Sequence, residues 1–204
     1  MGFFDRFVSP DLKAFIELEA RTAASLPPDW RYHGMEIERL GSIPASHWVH
    51  AACAETPDAF VAALAQDNTA ALHELMRLAS GHAPPTTGWA LPPMTFKGAP
   101  RASQRDRSPA PDHEAQMVAR AAAEACLPAG SVLSVVDTEA VGPGRMRLFN
   151  VSAHLPDGTG LAAVATTGPG AYETLAARLK GEIASTPTWT ICQAAAGPGP
   201  GVRR

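Results

Sequence analysis

Apolar residues recur along the chain with two spacings, one helical and one close to alternation. Ser9-Pro10-Asp11 opens the first helical stretch. It supplies a capping hydroxyl, a proline in the first turn and an acid at the positive end of the helix dipole. Leu12, Phe15, Ile16 and Ala23 form its expected inner face, and Lys13, Glu17 and Arg21 a solvated row. Pro27-Pro28 ends it, and Trp30 to Leu40 reads as a strand. A second helix is expected from Thr56-Pro57-Asp58 through Phe60, Val61, Leu64, Leu72, Leu75, Met76 and Ala79. Asp67-Asn68-Thr69 interrupts it as a possible new cap, and Gly81 with Pro84 closes it.

Farther along, Asp112 is placed to cap a helix with Met117, Val118, Ala121 and Ala125 on its inner face. Three strands are then expected. One runs Ser131–Val141. In the next, Phe149, Val151, Ala153 and Leu155 alternate with Arg147, Asn150, Ser152 and His154. The third covers Leu161–Thr167, after a Pro156-Asp157-Gly158 turn. A helix opens at Gly168-Pro169 with Tyr172, Leu175, Ala176, Leu179 and Ile183 on one face, and Thr188–Cys192 is a last strand.

The two halves echo each other. Ala20-Arg21 and Leu26-Pro27 in one answer Ala119-Arg120 and Leu127-Pro128 in the other. HAACAETPDAF also resembles AAVATTGPGAY. The expected fold is α+β, with helices packed on a mainly antiparallel sheet, in two duplicated helix–strands–helix units. That element order is similar to small secretion-chaperone-like binding domains, in topology alone.

Charge divides the chain in the same way. Residues 1–80 hold 6 basic and 11 acidic side chains; residues 112–196 hold 5 and 8. Residues 81–111 hold 4 and 1, with seven of the 19 prolines. The expected organisation is an N-terminal unit 1–80, a Pro-rich basic linker 81–111 without regular elements, a C-terminal unit 112–196 and a disordered tail 197–204. Within the linker, residues 101–111 are expected to be mobile, while Trp89, Leu91, Met94 and Phe96 are able to lay an extended stretch on a sheet or a partner. A net charge of -3 removes the general attraction that nucleic-acid binders use, although Lys97, Arg101, Arg105 and Arg107 form a weak basic cluster. No stretch approaches a membrane span.

Three cysteines, widely spaced and without CxxC, point to a reducing cytoplasm. Heavy use of Ala, Pro, Gly and Arg suggests a bacterium with a GC-rich genome. The N-terminus has neither a signal peptide's apolar core nor the hydroxyl of a myristoylation motif.

Candidate chemistry is sparse. His47, His50 and Cys53 would approach one another on a helix and hold a metal. On a strand, His50 faces away from the other two. His73-Glu74 lacks the second histidine of a zincin, because Arg77 stands there. The stripe Asn150, Ser152 and His154 reads as a solvated sheet face. Glu36/Glu38 and Asp137/Glu139 read as solvated carboxylate pairs. Thr166-Thr167-Gly168-Pro169-Gly170 reads as a tight turn into a helix. No cofactor is called for. The expected function is a non-catalytic module binding a protein partner, of chaperone, adaptor or immunity type, with a homodimer or a place in a larger complex possible. Trp30, Trp48, Trp89, Phe96 and Trp189 are its candidate anchors. A small metal-dependent hydrolase built on His47, His50 and Cys53 is the alternative.

Overall fold

A computed structural model describes residues 10–39, 48–57, 59–81, 88–90, 94–95, 112–141, 146–185 and 188–194. The fold is α+β. Helix α1 (Pro10–Ser25) leads into strands β1 (Arg31–Arg39), β2 (Trp48–Glu55) and β3 (Ala59–Ala65), then helix α2 (Asn68–Ala79). Short strands β4 (Gly88–Ala90) and β5 (Met94–Thr95) follow. Helix α3 (His113–Glu124) starts the second half. After it come β6 (Val132–Leu133), β7 (Asp137–Val141), β8 (Met146–His154), β9 (Thr159–Ala165), helix α4 (Gly168–Leu179) and β10 (Thr188–Ala194).

Among the described residues, the strands make two antiparallel sheets. The first has the order β1-β2-β3-β10. The second has the order β4-β9-β8-β6, with β5 also on β9 and β7 also on β8. The halves therefore exchange strands. β10, which follows the second half's last helix, completes the first sheet. β4 and β5, which follow α2, complete the second.

The exchange exposes a repeat with a numbering offset of 100. Ala65 and Ala165 end β3 and β9. Asp67 and Thr167 cap α2 and α4, each accepting from the backbone N–H three residues on. Gly81 and Gly181 follow the two helices with φ of 73° and 76°, the left-handed turn that glycine adopts without strain. Trp89 lies opposite Val164 and Trp189 opposite Leu64. The counterpart of AAVATTGPGAY is thus AALAQDNTAAL, residues 62–72, and not HAACAETPDAF, which spans β2 and the start of β3. Leu26-Pro27 and Leu127-Pro128 do correspond, each just after its helix.

Several expected elements are corrected. Residues 59–65 form a strand, not the first turns of a helix. All seven are buried, so the sequence AFVAALA has no polar face to give alternation away. The interruption at Asp67 is the true helix start. The stretch 131–141 is two short strands, because residues 134–136 leave the ladder. There the Tyr172 hydroxyl accepts from the Val136 N–H at 3.0 Å and donates to the Ser134 carbonyl at 3.4 Å. The Pro-rich segment does carry regular pairing, since β4 and β5 both bond to β9. Residues 101–111 and the tail lie outside the described residues.

Each sheet packs one face on its helices. Leu72 and Leu75 of α2 pack on Ala52, Ala54, Val61 and Ala63 of the first sheet. Ala119 and Ala123 of α3 and Tyr172 and Leu175 of α4 pack with Val151, Ala153 and Ala163 of the second. The opposite faces are buried too, through Val49, Ala51, Cys53, Ala62 and Leu64 in one sheet and Leu148, Asn150, Ser152, Ala162 and Val164 in the other. The edge strands β1 and β7 run beside each other. The stripe expected to be solvated is therefore interior: Asn150 and Ser152 are buried, and His154 is half-buried.

Two helix faces also differ from expectation. In α1, Phe15, Leu18, Thr22 and Leu26 turn inward, while Leu12, Ile16 and Ala23 are exposed. Thr22 tolerates burial because its hydroxyl donates to the Leu18 carbonyl at 2.9 Å. In α3, Gln116, Ala119 and Ala123 are buried, and Met117, Val118, Ala121 and Ala125 are exposed.

Candidate interaction surface

The histidine and cysteine residues of the proposed metal cluster do not converge. His50 lies opposite Ala65 on the helix-covered face of β2, and its Nδ1 donates to Asn68 Oδ1 at the start of α2. Cys53 lies on the other face, buried, with its thiol 3.8 Å from the Ala51 carbonyl. His47 lies outside the described residues. Among the described residues, no group of three or more His, Cys, Asp or Glu is placed to hold a metal ion.

The aromatic anchors are likewise dispersed. Trp30 is half-buried against the first core, next to α1. Trp48 begins β2; Trp89 and Trp189 hold equivalent register positions on β4 and β10. Phe96 and the basic cluster Lys97, Arg101, Arg105 and Arg107 lie outside the described residues. Glu36 and Glu38 occupy alternate positions of β1, as Asp137 and Glu139 do of β7.

What the structure does assemble is a cleft between α1 and α2, open to solvent and about 600 Å³ in volume. Half-buried Phe15, Leu18 and Met76 supply apolar surface, and exposed Asp11, Arg21 and His73 line it with polar groups. Ala14, Ser25 and Thr69 complete the lining. Leu12 and Ile16 stand on the same helix with about half their surface exposed (47% and 50%). Neither lines the cleft: at about 100° per residue they lie well round the helix from Ala14, Leu18 and Arg21.

A comparison of the two halves explains why the cleft exists. In the second half α3 lies closer along α4 than α1 does along α2. Gly168, the first residue of α4, makes this possible. A Cβ placed there would stand 2.7 Å from Gln116 Oε1, so any larger residue obliges the buried Gln116 carboxamide to shift. At the corresponding position α2 has Asn68, whose side chain is engaged by His50. α1 brings the bulkier Phe15 and Leu18 where α3 brings Gln116 and Ala119. α1 is fixed to its sheet instead by the Tyr32 hydroxyl, which donates to Glu19 Oε1 at 2.9 Å. Burial, reinforced by the Glu19 carboxylate, pushes the Tyr32 phenol well above its ordinary range, so this donor keeps its proton.

Sequence reasoning missed the cleft because it depends on how α1 stands against α2, which no local pattern sets. It also put Leu12 and Ile16 in the core, although Leu12, Phe15, Ile16 and Leu18 together are more than one stripe of α1 accommodates. No family model, curated protein or solved structure matches this chain. No helix among the described residues is long and apolar enough to cross a membrane.

Proposed function

We propose that this chain is a non-catalytic protein-interaction module, chaperone-, adaptor- or immunity-like. It receives an apolar side chain of a protein partner in the cleft between α1 and α2. The observation that carries this reading is the asymmetry of the repeat: the helix pair that is closed in the second half is open in the first. The cleft suits an apolar anchor with charged neighbours, since Asp11 and Arg21 offer both signs at its edge. Cys53 and Cys126 are free thiols, which fits a reducing compartment, the cytoplasm of a bacterium.

The test is a photo-crosslinking amino acid placed at Ala14 in cells. A defined protein adduct is expected, and Met76→Glu should abolish it without altering the thermal midpoint. An adduct that Met76→Glu leaves unchanged, or that forms equally from exposed Glu173 on α4, overturns the reading.

A further inference from the structure

We propose that the place of β10 on β3 is a seat that a second copy of this chain fills with its own β10, giving a strand-exchanged dimer. The seat occurs twice in the molecule. β3 and β9 each accept, on the side away from β2 or β8, the strand that follows the second helix of the other half. The tryptophans of the two donors fall at the same register position, opposite Leu64 and Val164. The donors otherwise differ, TWTICQA against GWA. What the seat selects is therefore backbone pairing with one aromatic in register, and a strand arriving from another molecule meets the same requirement.

Nothing in the donor opposes a second copy. Thr188–Ala194 contains no charged residue and no proline, the two features that most often keep an edge from pairing with its like. The seven-residue ladder from Thr188↔Ala65 to Ala194↔Ala59 forms identically within one chain or between two. Two chains exchanging β10 reciprocally close a symmetric pair with both seats filled. Only the tether decides between the forms. Residues 180–187 join α4 to β10, and a connection that short gives an effective concentration of about 1 mM. The closed monomer prevails in dilute solution, and exchange competes when chains refold near that concentration.

The full chain is unfolded and refolded at about 10 µM and about 1 mM, then sized by analytical ultracentrifugation. Monomer is expected at the lower concentration and a dimer at the higher one, each sized at the concentration of refolding. A disulfide locates the strand. Ala63→Cys and Thr190→Cys, opposed in register, are introduced with Cys53→Ala, Cys126→Ser and Cys192→Ala. Equal amounts of ¹⁴N- and ¹⁵N-labelled chains are refolded together and oxidised. Interchain disulfides are expected only at the higher concentration, with about half of the linked dimers isotopic hybrids. Ala65→Cys with Thr188→Cys serves if the first pair does not fold. The proposal is overturned if the unsubstituted chain stays monomeric after refolding at the higher concentration. It is also overturned if every disulfide is intrachain, including in a dimer held by another surface.

Discussion

At Gly168 the missing Cβ leaves room for the Gln116 carboxamide at the start of α4. Gly168→Ala should destabilise the protein, because the new methyl meets Gln116 Oε1 in a buried contact. Gln116→Ala in the same chain should recover part of the loss. A double-mutant cycle by urea denaturation is expected to give a coupling of about 0.5–3 kcal/mol, and additivity would refute the contact. His154 tests a second residue-scale statement. Desolvation lowers its pKa, so the folded state prefers neutral imidazole. As pH falls below the ordinary value of 6.5, the unfolded chain takes up the proton first and stability declines. The decline stops once pH passes the lowered folded value. His154→Gln should flatten the thermal midpoint between pH 7.5 and 5. Asp157 acts lower, since the Thr159 N–H holds its carboxylate below the usual range, and its contribution disappears only in stronger acid.

Elements were legible where one side of the chain meets water and the other does not. α4 was read correctly, since Tyr172, Leu175 and Ala176 face inward and Glu173 outward. β3 was illegible because both of its faces are covered, which leaves AFVAALA without a period. α1 misled for the opposite reason. It carries a second apolar patch, Leu12 and Ile16, that the chain does not bury. The cleft was invisible for a separate reason: it depends on how far α1 stands from α2, and that distance is set by residues far apart in sequence. A pair of substitutions separates the buried Leu26, just after α1, from the exposed patch on that helix. Leu26→Ala should cost about 2–5 kcal/mol. Ile16→Glu should change stability by less than about 0.5 kcal/mol. Thermal denaturation checks both, and a large loss from Ile16→Glu would mean that the residue is packed after all.

For the molecule as a whole, the repeat was legible in Leu26-Pro27 and Leu127-Pro128 but the exchange was not. Strand partners chosen across 123 residues, as for Thr188 and Ala65, leave no local trace. Because each sheet depends on the other half's strand, the halves should unfold together. Thr190→Pro removes a backbone donor from β10. Hydrogen exchange should show protection falling in β3 and in β9 alike, within one urea transition. Two transitions, or a loss confined to β3, would mean that the halves fold separately.

The crossing of β10 also fixes an order of events during synthesis. β3 leaves the ribosome long before Thr188–Ala194 has been translated, and at cellular elongation rates the interval is roughly ten seconds. For that time the nascent first sheet has an open, alanine-rich margin, which holdase chaperones and neighbouring polysomal chains are equally able to reach. A stop codon or ribosomal stall before Thr188 would therefore harm the much earlier-made β3, by leaving it without its partner strand.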